Sequence, residues 1–216
     1  LERIREYVAE GKTFEEAIQK GLRMIGQNMH GFLGNSNLEF ENLEKELQNP
    51  TDMRIFVIAE AFNQGMSIET IYEHTRIDKW FLTKLENLFI TCNELSKVDK
   101  ISELPLPLLL KSKRQGFTDF QIARFVLKNK FKGIDDQILQ IRNFRKKNGI
   151  IPFVKQIDTM AAEQPAQTNY LYLTYHGIEH DIPFQQDKNS VMVLGSGAYR
   201  IGSSVEFDWC SVNAVN

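Results

Sequence analysis

Apolar residues recur at three- and four-residue intervals over most of the first 150 positions, the period of helices that bury one face. Phe14, Ala17, Ile18, Gly21, Leu22 and Ile25 predict a lead helix, with Thr13 and Glu16 placed as a capping box. His30 to Leu38 is Gly- and Asn-rich and reads as a connection. Ile55, Ile58, Ala59 and Phe62 form the next apolar face. Gly65 follows as its C-cap, and Ser67 reopens a helix as N-cap. Asp78 caps a helix carrying Trp80, Phe81, Leu85, Leu88 and Phe89. Pro105 and Pro107 mark another start, Gly116 ends that helix, and Thr118-Asp119-Phe120-Gln121 is a second capping-box match. A last helix spans Asp135 to Asn148, with Ile138, Ile141 and Phe144 inward. Arg145, Lys146 and Lys147 sit at its negative end, and Gly149 closes it. The pattern Gly65-Met66-Ser67, Ile71, Ile77-Asp78-Lys79 echoes Gly116-Phe117-Thr118, Ile122, Ile134-Asp135-Asp136. Two similar helical hairpins packed together account for this, and so does convergent capping.

After residue 150 the period changes. Val154-Lys155-Gln156-Ile157-Asp158 alternates like a short strand. Tyr170-Leu171-Tyr172-Leu173-Thr174-Tyr175 is a stronger strand candidate. Between them Met160-Ala161-Ala162-Glu163-Gln164-Pro165 forms a small-residue linker. Val191-Met192-Val193-Leu194 is fully apolar, as buried parallel strands are. It opens into the turn Gly195-Ser196-Gly197-Ala198-Tyr199-Arg200-Ile201-Gly202. Ser203 or Ser204 can cap the helix that starts at Val205 and runs on to Asn216. One strand–turn–helix unit cannot cover both faces of its strand, so the expectation is an α/β domain continuing beyond Asn216. The fold class is therefore mainly α, a helical bundle-like domain followed by the first strand, Gly-rich turn and helix of an incomplete α/β domain. The divisions fall at 1–38, 39–150, 151–190 and 191–216.

The balance of 42% hydrophobic and 25% charged residues is that of a soluble globular chain. At 216 residues it is long enough for a real core. Fifteen Phe and two Trp suit a well-filled core with a docking surface. A net charge of -2 argues for neither nucleic acid nor a membrane surface as partner. No apolar run approaches the ~20 residues of a spanning helix. The two cysteines, Cys92 and Cys210, have no metal-ligand spacing and fit a reducing compartment.

Candidate chemistry is sparse. Gly195 and Gly197 allow close approach of backbone to a ligand or a neighbouring chain, and the helix that follows favours an anion. A dinucleotide fingerprint needs its third glycine three residues after the second, whereas here the next is Gly202. A P-loop needs Gly-Lys-Ser/Thr, and Gly202-Ser203-Ser204 lacks the lysine. Generic anion binding or backbone packing is favoured over a cofactor. His176 and His180, with Glu179, could imitate a metal pair, but Gly177 argues for a solvated loop. Glu15-Glu16 and Asp135-Asp136 read as helix-start charges. Thr118 to Lys147 loosely matches a helix-turn-helix with Arg142, Arg145, Lys146 and Lys147 on the second helix. This leaves a DNA-binding module as the alternative to a packed scaffold.

The run Val193-Leu194-Gly195-Ser196-Gly197-Ala198-Tyr199-Arg200-Ile201-Gly202-Ser203-Ser204-Val205-Glu206-Phe207-Asp208-Trp209-Cys210 resembles the opening of the second synthetase half in the large chain of eukaryotic-type carbamoyl-phosphate synthetases. Thr13 to Ala17 with Gln19-Lys20, Ile77 to Leu82, Gly116 to Asp119, Val154 to Thr159 with Ala161 to Glu163, and Thr168 to Tyr172 are similar to the same family. Leu1 to Glu10 carries none of the likeness. The resemblance implies that residues 39–150 are the all-helical oligomerisation domain, between the end of one ATP-grasp half and the start of the next. It implies a parent ligase that makes carbamoyl phosphate from bicarbonate, ATP and ammonia, usually from glutamine, for pyrimidine or arginine synthesis. The wording of the glycine turn is nearer to the pyrimidine-pathway forms. ATP and Mg (or Mn) would belong to the parent's grasp halves, with no cofactor or metal in this segment and no catalysis from it alone. Its partners would be the flanking domains and further copies of itself, in the cytoplasm or alternatively the mitochondrion. In the family the glycine turn lines an internal passage for carbamate. The matching positions are Arg200, Gly202, Ser203, Ser204 and Glu206.

Overall fold

The structure, a computed structural model, describes residues 11–24, 29–35, 38–128, 134–158, 163, 171–183, 191, 193 and 212–215. It is mainly α. Helices α1 (Phe14–Met24), α2 (Leu43–Gln48), α3 (Arg54–Asn63), α4 (Ile68–Thr75), α5 (Lys79–Ser96), α6 (Leu106–Arg114), α7 (Asp119–Val126) and α8 (Ile134–Lys147) are followed by strands β1 (Phe153–Gln156) and β2 (Leu171–Thr174).

The punctuation follows the side chains that the sequence offers. Ser67 Oγ accepts the Thr70 N–H at 3.1 Å, and Asp78 Oδ1 accepts that of Trp80 at 2.7 Å. Thr118 and Gln121 close a full reciprocal box on α7. Gly65, Gly116 and Gly149 end their helices at φ 79°, 84° and 73°. Behind each, the next N–H reaches back to a carbonyl of the last turn: Met66 to Ala61 at 2.9 Å, Phe117 to Ser112 at 3.0 Å and Ile150 to Arg145 at 2.8 Å. This is the left-handed ending that only glycine adopts without strain.

The repeated pattern is real in the fold: α4–α5 and α7–α8 are each a short helix followed by a longer one that packs on it. The two hairpins meet where α5 lies against α7. Helix α5 also touches α1, α3 and α6. Its buried Leu82, Leu85, Leu88, Cys92 and Leu95 form the axis of the core, which also takes in Phe56, Ile58 and Phe62 from α3, Ile122 from α7 and Ile141 from α8. The 30–38 connection is more than a spacer, because Phe32 and Leu33 are buried in this core. Of the last α/β unit, Val191 and Val193 are exposed, and the one sheet among the described residues is the β1–β2 pair. Residues 212–215 form a helical turn.

Two of these glycines make a controlled comparison. A Cβ at Gly116 would lie 3.0 Å from Gln19 Cβ and 3.1 Å from Glu16 Cα and Glu16 O, whereas at Gly65 it would meet nothing within 4 Å. Gly65→Ala should therefore cost only the left-handed strain, about 1 kcal/mol. Gly116→Ala adds backbone overlap with α1 and should cost about 3 kcal/mol. Paired urea titrations check this, and equal losses at the two sites would show that α1 does not seat on Gly116.

Candidate functional site

The densest polar arrangement lies where α1, the α6–α7 turn, α8 and β2 meet. On the first turn of α1 the Glu16 side chain is 1% exposed. Its Oε2 accepts the Lys12 N–H at 2.9 Å and the Thr174 hydroxyl at 2.9 Å, and its Oε1 accepts Lys20 Nζ at 2.9 Å. Thr13 caps the helix by accepting the Glu16 N–H at 3.2 Å. The reciprocal half of the expected box goes to Lys12 instead of Thr13, since the same carboxylate is drawn toward β2. Neighbouring Glu15 is also buried; it accepts Asn87 Nδ2 at 3.1 Å and faces Lys84 at 3.6 Å. The pair are thus not merely solvated helix-start charges.

A second cluster adjoins the first. Lys113, 6% exposed on α6, donates to Phe117 O and Asp119 Oδ1, both at 2.8 Å. Arg145 Nε donates to both Asp119 oxygens, at 3.1 and 2.9 Å. Tyr175, just past β2, stacks under both cations, 5.0 Å from Lys113 Nζ and 5.7 Å from the Arg145 guanidinium carbon. Burial pulls Lys113 down to about 8 against the opposing pull of Asp119. Burial also pushes Tyr175 up to about 12. For Asp119, burial acts upward, but Lys113 and Arg145 outweigh it and hold the carboxyl below its usual range. It is a permanent anion at neutral pH, suited to holding two cations and not to donating a proton. Arg23, drawn down to about 10 by burial despite Glu16, donates to Gly116 O at 2.8 Å and ties the clusters together.

The described residues expected to carry other chemistry are used structurally. His176 Nε2 lies 2.9 Å from Arg114 O, and the Val154 N–H donates to His180 Nδ1 at 3.0 Å. Both sit in the turn after β2, and no group of three His, Cys, Asp or Glu among the described residues could hold a metal ion. Arg145, counted toward a basic reading helix, is committed to Asp119. Cys92 is buried, which pushes its thiol up and leaves it inert. A cleft of about 310 Å³ beside Ser96, Arg124 and Lys128 lies at the C-terminal ends of α5 and α7, where helix dipoles disfavour anions, and Lys128 is paired with Asp99. Among the described residues no helix is long and apolar enough to cross a membrane. Gly195, Gly197, Arg200, Gly202, Ser203, Ser204 and Glu206 lie outside the described residues.

Sequence reasoning missed Glu16 and Lys113 as buried groups. A signal existed for Lys113. It follows Leu109 by four residues and Ser112 by one on the buried face of α6, a position where a cation needs an internal partner. For Glu16 the spacing to Lys20 was visible, but Thr174 lies 158 residues away.

Comparison with known proteins agrees with this architecture. The family described as "Carbamoyl-phosphate synthetase large chain, oligomerisation domain" matches residues 6–149, and the "Carbamoyl phosphate synthase preATP-grasp domain" matches residues 187–216. The chain is 50% identical over its whole length to the multifunctional protein URA2 of Saccharomyces cerevisiae, of which it spans 9%. It is 49% identical to the multifunctional protein CAD of Squalus acanthias, again spanning 9%. It is 47% identical to the arginine-specific carbamoyl phosphate synthase large chain of Eremothecium gossypii, spanning 18%. These alignments cover all of the chain, so the likeness extends into residues 1–10. The chain belongs to the carbamoyl-phosphate synthetase large-chain family, matching its oligomerisation domain and the first part of its preATP-grasp domain.

Proposed function

We propose that this chain is the connecting and oligomerising region of a carbamoyl-phosphate synthetase, whose parent makes carbamoyl phosphate from bicarbonate, ATP and ammonia for pyrimidine or arginine synthesis. The observation that carries the reading is the match to the oligomerisation domain across 6–149, continuing at 187 into the preATP-grasp domain. ATP and Mg or Mn are needs of the flanking halves. The flanking domains of the same chain are its partners, and the helical domain also associates with copies of itself. The cytoplasm is the compartment proposed, although a similar arginine-specific large chain of Schizosaccharomyces pombe is named as mitochondrial. In the intact enzyme Arg200, Gly202, Ser203, Ser204 and Glu206 line a passage for carbamate, with small side chains leaving the bore open.

Two measurements test this. Sedimentation of the chain over a wide concentration range should give a mass of at least twice 25.0 kDa at the upper end. A constant monomer mass would remove self-association. In the intact parent, Ser204→Phe should slow overall synthesis while leaving the partial reaction of the first half intact. Full, coupled synthesis by that variant would remove the passage.

A further inference from the structure

The β1–β2 ribbon leaves one surface uncovered. Its register pairs Phe153 with Thr174 and Lys155 with Tyr172 on one face, and Val154 with Leu173 and Gln156 with Leu171 on the other. The first face lies on the helical domain, where Thr174 is bonded to Glu16 and Tyr172 stacks against Lys20 at 5.7 Å. Both edges are occupied as well. The free edge of β1 is met by the returning chain: the Val154 N–H donates to His180, the Gln156 N–H to Asp181 Oδ2, and the Asp181 N–H to Val154 O. On the free edge of β2, Leu173 O accepts Lys20 Nζ at 2.7 Å. The β1 edge is therefore closed to strand addition, Lys20 partly covers the β2 edge, and the outer face stands open. There Leu171 is exposed and Leu173 is 55% exposed.

We propose that this face is the seat of the preATP-grasp domain that follows it in the same chain. The match to that domain begins at residue 187, six residues after Asp181, which is bonded to β1, so the domain starts within about 21 Å of the ribbon even if the link is fully extended. A patch of a few side chains is far below the ~20–30 residues a side of a stable interface between separate proteins. It suffices for a tethered partner, whose effective concentration is on the order of millimolar. The first described side chains of that unit, Val191 and Val193, are themselves exposed and apolar. The ribbon thus docks one domain on each face, the helical domain through polar contacts and the α/β domain through Leu171 and Leu173. This deepens the connector reading above and rests on it.

The test introduces Leu173→Cys into the intact parent and into the 216-residue chain, with N-ethylmaleimide as probe and peptide-resolved mass spectrometry as readout. Labelling in the parent should be at least about tenfold slower than in the 216-residue chain, and independent of protein concentration. Unchanged melting of both variants confirms that the folds are intact, and Leu171→Cys provides a second site if one is perturbed. Equal rates in the two proteins would overturn the proposal, as would protection that grows with protein concentration, which means a second copy occupies the face. Equal rates in a parent that still self-associates would sink the docking alone and leave the connector reading in place.

Discussion

Asp119→Ala is expected to lower the melting temperature of this chain by on the order of 10 °C at neutral pH. The carboxylate accepts Lys113 and both arms of the Arg145 contact, and all three side chains are nearly excluded from water. Removing it strands two buried cations, a change worth about 3–5 kcal/mol. Circular dichroism melts measure it directly, and a shift under about 2 °C would show that the pair is solvated and of little consequence. Replacing all three charges together, as in Lys113→Met with Asp119→Leu and Arg145→Met, should recover much of the loss, because apolar side chains of similar volume carry no desolvation cost.

The pH dependence gives the same prediction a sign. Unfolded, Lys113 keeps its proton up to 10.5, whereas folded it releases it near 8 because of burial. Between those values the unfolded chain binds more protons, so this group adds stability as pH rises through 8 and removes it as pH falls. Once Lys113 is neutral, its attraction to Asp119 is gone in the parent sequence too. The deficit of Asp119→Ala should therefore be larger at pH 7 than at pH 9, with the Arg145 share persisting at both. A deficit unchanged between pH 7 and pH 9 would mean that Lys113 stays charged in the fold.

How much of this was legible beforehand depends on the range over which each side chain acts. Ser67, Asp78, Thr118, Gly65, Gly116 and Gly149 act within one helical turn, and their caps were read correctly from spacing. The alternation around Val154 and Leu171 was legible because a two-residue period survives in a short strand. Which face of that ribbon meets the helices was not, since both carry apolar residues and the choice is made by Thr174 meeting Glu16. Trp80 is one of the apolar residues that mark its helix in the sequence. In the fold it is 53% exposed, in edge contact with Phe14 at 5.6 Å and Phe81 at 5.0 Å. Local periodicity cannot see that Leu82 and Leu85 claim the core. The glycine turn at 195–202 was singled out from its own residues, where spacing excluded dinucleotide and P-loop chemistry, and the passage role proposed for Arg200 to Glu206 rests on the resemblance.

Glu16→Ala probes the longest-range of these contacts. Its carboxylate holds Lys12, Lys20 and Thr174 together. Hydrogen bonds to a charged acceptor contribute about 1.5–3 kcal/mol each and do not add fully, so a loss of about 3–4 kcal/mol is expected. The location of the loss is more diagnostic than its size. Thr174 is fully buried, and without its acceptor the hydroxyl must find water, which only lifting of the ribbon from α1 can supply. Amide exchange should therefore accelerate in β2 far more than in α5, whose apolar packing does not involve Glu16. Thr174→Val, which removes the donor and keeps the shape, should reproduce the exchange pattern at lower cost. The double variant should cost less than the sum of the two singles. Additive effects, or exchange that speeds equally in α5 and β2, would mean that Glu16 only supports α1. Coupling would instead establish that the segment entering the helical domain and the segment leaving it are fastened to each other, so that the domain sets the relative placement of whatever is attached at either end.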